Sequence, residues 1–294
     1  MRTGLLGLLA ALLATGAALA AATPASARTQ EPAPARHVVI VGLSGLRWSD
    51  VSPSVTPTLW RLAGQGSGGS LVDYAVLPLT CPADGWLTMN SGARAQSRHT
   101  DAGCAFPAVR RAGPKNPGAT VPALPGLIGY NQRFHNDPHW GLLGRAAACA
   151  TAVGPGAALA LAEPQGRTGS VASYLPSPSD LSAAALSRCP LTVVDLGHLG
   201  SMERPSVLAA ADTELQHLVA ELPAGTTLLI TAPGSVTGPA HLQLTVVDGA
   251  GYQGGLLESS STRQAGLVVL TDLTPTVLGG VSAGQSADGG GQAL

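Results

Sequence analysis

Charge and aromatic rings are scarce in this chain. Only 11% of its 294 residues are charged and 3% aromatic, while it holds 38 glycines and 23 prolines, so its surface must be built largely from Ala, Gly, Ser, Thr and Pro. The formal net charge of −1 is too near neutral to suggest nucleic acid or an anionic membrane face as partner. Missing too are several compact catalytic signatures: a phosphate-cradling Gly-x-x-x-x-Gly-Lys, a zinc-type Cys-x-x-Cys and a Gly-x-Ser-x-Gly with its His and Asp. Beyond the N-terminus, no segment is long and apolar enough to cross a bilayer.

What is present begins with MRTGLLGLLAALLATGAALAAATPASA, residues 1–27: one basic residue, a long Leu- and Ala-rich run, then Ala25-Ser26-Ala27, which fits small-x-small signal cleavage. An export signal is the expectation. An uncleaved membrane anchor is the rival, because the uncharged run from Gly4 to Ala22 approaches the roughly 20 residues that span a bilayer. Cleavage removes Arg2 and leaves 15 basic against 17 acidic residues, or −2. Residues 28–36, RTQEPAPAR, read as a Pro-spaced linker, 37–280 as one α/β domain, and 281–294 as a flexible tail. Cys81, Cys104, Cys149 and Cys189 form an even set, as expected of disulfides in an exported chain. Three pairings are open. The favoured one joins Cys81 to Cys104, stapling a loop-rich stretch, and Cys149 to Cys189, each of which opens an apolar run.

Strand-like apolar runs lie at 37–43, 70–77, 149–153, 191–195, 226–231 and 242–247, several apolar on both faces, as strands covered by helices on both sides must be. The clearest helix is 204–222, with Leu208, Ala211, Leu215, Leu218 and Leu222 at steps of three and four. Another starts at Thr56-Pro57, a hydroxyl N-cap before Pro at N1. This alternation predicts a doubly wound, mostly parallel sheet with helices on both faces, and ligands in such sheets sit beyond the carboxyl ends of the strands. Residues 98–118 read as loop. His135, Asp137 and His139 read as a polar turn ahead of a helix near Trp140, while His37, His99 and His217 read as structural or solvated.

Four strand-end loops follow in order: LSGLRW (43–48), LTCPADGWLTMNSG (79–92), VVDLGHLG (193–200) and LLITAPGS (228–235). With TPTLWRLAGQG at 56–66 and DLTPTVL at 272–278, the series resembles the alkaline phosphatase superfamily, especially its nucleotide pyrophosphatase/phosphodiesterase and phosphoglycerate mutase-like branches. The resemblance covers nearly the whole chain after the leader. It implies an alkaline phosphatase-like fold and two divalent metals, commonly zinc, which clamp a phosphoryl group and activate the attacking hydroxyl. Carried over position by position, the nucleophile falls on Thr80, at a helix N-terminus that favours an anion, although without a second metal to ionise it a turn or capping threonine before Pro82 is the favoured reading. The first-strand metal Asp falls on Ser44, and a later Asp-His pair falls on Ala232-Pro233. One metal site is therefore expected to be lost. The other retains Asp195, His198 and a loosely aligned His241; His198 arrives one position early, worth about 3.3 Å of extended chain. One divalent, zinc-like ion there is weighed evenly against Asp195 capping the next turn with His198 packed beside it. Cys81 differs from the sulfatase formylglycine cysteine, since Pro82 follows it at once, and Asp84 reads as a helix-start cap.

The leading expectation is thus an exported domain with a decayed bimetal centre, a pseudoenzyme with a binding or structural role in the cell envelope and an unknown envelope ligand or protein as partner. The alternatives are a single-metal phosphoric ester hydrolase or transferase, and an N-terminal fragment of a longer membrane-associated protein.

Overall fold

The computed structural model describes residues 37–100, 103–113, 115–165, 168–200, 204–236 and 241–281. The expected signal (1–27), linker (28–36) and all of the expected tail except Val281 lie outside these residues. In chain order the strands are β1 (His37–Ser44), β2 (Ser67–Val72), β3 (Arg110–Arg111), β4 (Ala119–Val121), β5 (Ala150–Val153), β6 (Glu163–Gln165), β7 (Thr168–Val171), β8 (Ser173–Leu175), β9 (Leu191–His198), β10 (Thr226–Thr231), β11 (Gln243–Asp248) and β12 (Leu267–Val269). The helices are α1 (Pro57–Gln65), α2 (Pro82–Ser91), α3 (Leu124–Asn131), α4 (Pro155–Leu161), α5 (Ala183–Arg188), α6 (Arg204–Ala220) and α7 (Leu270–Val281).

The main sheet has the order β12-β2-β11-β10-β1-β9-β5-β8, and β11 alone runs against its neighbours. Side chains alternate across a strand, and β1 buries both sets. Val38 and Ile40 join the core formed with α2, α4 and α7; Val39 and Val41 join the core formed with α1 and α6. That two-sided burial explains why the central strands read as unbroken apolar runs. The mostly parallel α/β architecture expected from the sequence is the one observed.

Three local readings need correction. Thr56 does not cap α1 with its hydroxyl, which instead donates to the Asp50 carbonyl. The free N–H groups of Thr58 and Leu59 donate to the two carboxylate oxygens of Asp212, a buried residue of α6, at 3.0 and 2.9 Å. A remote cap of this kind fixes one helix on another. Residues 98–118 are not all loop, because β3 lies there and begins a small antiparallel sheet of order β3-β4-β7-β6. No helix starts near Trp140; turns lead to a short 3-10 segment, Gly144–Ala146.

Two disulfides, Cys81–Cys104 and Cys149–Cys189, close the pairs favoured from the sequence. The second joins the residues just before β5 and β9, neighbours in the sheet. Among the described residues, no helix is long and apolar enough to cross a membrane.

Candidate functional site

The loops after β1, β2, β9 and β10 meet at one end of the main sheet, where ligands sit in folds of this type. Here the loop after β10 fills that place. Gly45 N–H donates to Gly234 O at 2.6 Å, and Ser235 N–H donates to Thr80 O at 2.8 Å, so Pro233-Gly234 is latched to the β1 turn on one side and to the Thr80 loop on the other. The fit is close enough to require glycine. A Cβ on Gly85, inside α2, would lie 1.6 Å from Pro233 O, and one on Gly234 would lie 2.7 Å from Cys81 O.

Behind this latch the Trp86 indole is fully buried. It occupies room left by two glycines: a Cβ on Gly42 would come within 2.3 Å of the ring, and one on Gly156 within 2.1 Å of Nε1. Among the described residues, that indole N–H has no hydrogen-bond partner. Ser44 sits at the end of β1, 1% exposed, its hydroxyl likewise without a partner, opposite His198 in the β1–β9 register. The two orphaned groups are a standing cost that the packing must offset.

Thr80 is buried, and its hydroxyl oxygen accepts from Ala75 N–H at 3.0 Å. Asp195 is 5% exposed and spends both oxygens on backbone: Oδ2 accepts from Gly156 N–H at the start of α4 (2.7 Å), Oδ1 from Gly197 N–H (2.9 Å). Burial raises its pKa; those two N–H donors and the nearby His198 oppose the rise. His198 itself is exposed. His241 lies elsewhere on the rim, with Nε2 accepting from Arg47 Nε at 2.6 Å and Gln243 Nε2 at 3.3 Å. Gln243 also donates to Asp73 at 3.2 Å, and burial raises the Asp73 pKa.

Asp195, His198 and His241 are not gathered into one ligand set. Among the described residues, the group whose candidate ligand atoms all lie within 4.8 Å of one another is Cys81, Asp84 and His99. Its sulfur is bonded to Cys104 and offers no thiolate. Fully buried Asp84 accepts from Cys81 N–H (2.8 Å), Gln96 Nε2 (3.0 Å), Ser97 N–H (2.7 Å), the Ser97 hydroxyl (2.5 Å) and His99 Nε2 (2.7 Å). Five donors on one carboxylate make it a structural hub that ties the start of α2 to the segment 96–99.

Sequence reasoning missed Trp86, Arg47 and the pair formed by Arg204 with Asp50, which also brings Arg204 to Gly45 O at 2.7 Å. Trp86 stood in view inside the quoted LTCPADGWLTMNSG loop, but its glycine partners lie 44 and 70 positions away.

No protein-family model matches the chain, and no curated protein matches it. Among solved structures it is similar to an alkaline phosphatase superfamily protein from Vibrio parahaemolyticus (11% identity, TM-score 0.46, covering 84% of this chain and 66% of that one). It is also similar to the lipoteichoic acid synthase of Listeria monocytogenes (12%, TM-score 0.45, 88% and 74%). A third is human ectonucleotide pyrophosphatase/phosphodiesterase 5 (17%, TM-score 0.40, 68% and 57%).

 The chain spans just under two thirds of the first structure's length. At these identities the likeness concerns the fold alone, and it is the fold that the sequence motifs also suggested.

Proposed function

We propose that this chain is a non-catalytic, exported domain of alkaline phosphatase-like fold, with a binding or structural role in the cell envelope. The observation that carries the reading is the filled strand-end pocket. Pro233 and Gly234 pack onto Gly85 and Cys81 where the resemblance calls for a metal-bound phosphoryl group.

The residues present do not fit the metal pair that the resemblance implies. Ser44 offers a neutral hydroxyl, and Ala232 and Pro233 have no ligating side-chain atom. Asp195 already holds two backbone N–H groups. A guanidinium N–H of Arg47 donates to His241 Nε2, so that nitrogen is already engaged by a cationic group. Among the described residues, the side-chain hydrogen bond of Thr80 is one it accepts, from Ala75 N–H, and it makes none to a base able to take its proton. Export is supported by the leader-like N-terminus and by the two disulfides, which persist in oxidising compartments.

The test is metal analysis of the purified protein together with an aryl phosphate and phosphodiester panel. The expected result is no stoichiometric metal and no turnover above blank. Turnover that Asp195→Ala abolishes would overturn the reading in favour of a single-metal hydrolase.

A further inference from the structure

The loop joining β2 to α2 carries Tyr74, Leu77 and Leu79 at 41%, 39% and 38% exposure, with exposed Pro78 between the leucines. Large apolar side chains at the tip of a short loop are not needed for its own packing. Three arginines stand beside them. Arg94 lies over the Tyr74 ring at 4.9 Å, while Arg98 and Arg133 both lie over Tyr130, at 4.8 and 4.3 Å. The segments that carry these residues are tied together beneath the surface: Leu77 N–H donates to the side chain of buried Gln96, which lies between Arg94 and Arg98 in sequence, and buried Asn131, next to Tyr130, bonds to the Gln96 backbone.

Among the described residues, none of the three guanidiniums forms an ion pair; His99 pairs with Asp84 and Arg204 with Asp50. The chain's net charge near zero says little about such a patch, because its cations are gathered locally. Stacking on rings helps hold each guanidinium in place, Arg133 Nε also donates to the Tyr130 carbonyl at 3.1 Å, and all three arginines are exposed.

We propose that this surface docks on an anionic lipid membrane, with Leu77 and Leu79 entering the interface and Arg94, Arg98 and Arg133 contacting headgroup phosphates. Exposed aliphatic side chains with aromatic rings and arginines in the adjoining segments supply both the apolar and the cationic groups that a lipid surface engages. Charge complementarity selects anionic lipid. The inference takes its envelope setting from the proposed function, yet the two fail separately: vesicle binding reports on this surface, metal and turnover assays on the strand-end pocket.

The test is co-sedimentation of the full chain with vesicles of equimolar phosphatidylglycerol and phosphatidylcholine, against pure phosphatidylcholine. Any contribution of the N-terminal segment is common to all variants. Each arginine is expected to be worth about fivefold at an anionic surface, so R94Q/R98Q/R133Q should weaken binding on the order of 100-fold. R94K/R98K/R133K should retain most of it, which separates charge from fold. L77S/L79S should weaken binding by about tenfold through lost apolar burial. Equal binding to both vesicle types, or a triple Gln variant that binds like the parent while its melting is unchanged, would overturn the proposal.

Discussion

Replacing Gly85 by alanine gives a change whose sign depends on whether the β10 loop closes the strand-end pocket. Gly85 lies inside α2, where alanine is favoured over glycine by about 1 kcal/mol. With the loop elsewhere, the substitution would stabilise the protein. With the loop where it is, the new methyl would lie 1.6 Å from Pro233 O, and the obstacle is backbone, latched by Gly45 N–H and Ser235 N–H contacts on either side. Overpacking costs about 1–3 kcal/mol where side chains yield, and more where backbone must move, so a net loss of about 2 kcal/mol or more is expected. At about 2–4 °C per kcal/mol for a domain of this size, melting should fall by roughly 4–8 °C. Calorimetry or circular dichroism reads this directly. An unchanged or raised melting temperature would refute the closed pocket.

Other outcomes follow from the same contacts. Asp212→Ala removes both acceptors at the start of α1 and should cost about 1–2 kcal/mol, read by urea unfolding, with Asp212→Asn recovering part of it. Opening the Cys81–Cys104 and Cys149–Cys189 bridges, which close separations of 23 and 40 residues, should each cost about 3–4 kcal/mol; serine pairs at either site test this one bridge at a time. Burial raises the folded-state pKa of Asp73 above 3.8, so folding takes up a proton there. Its contribution is full below the unfolded value and is lost as pH rises through the folded one. Asp73→Asn should therefore flatten the stability–pH curve just above pH 3.8, and an unaltered slope in melts across that window would contradict the assignment.

The central sheet was legible because β1, β9 and β10 bury both faces, and continuous apolar runs leave few other structures. The small antiparallel sheet was not. Its strands β3, β4, β6 and β7 are two to four residues long, too short to show a period. The cap on α1 was misread for a different reason: Thr56 has the right residue type, but Asp212 arrives from 154 positions away, and no local rule reports that. At the candidate site, the missing ligands at Ser44, Ala232 and Pro233 could be read from residue types alone. What fills the space could not, since it depends on glycines at 42, 85, 156 and 234 admitting an indole and a backbone turn.

The most direct measurement is anomalous diffraction at the zinc edge from crystals soaked in zinc. A strand-end pocket filled by Pro233, Gly234 and Trp86 predicts no peak between Ser44 and Thr80. Two peaks about 4 Å apart at that place would contradict the account.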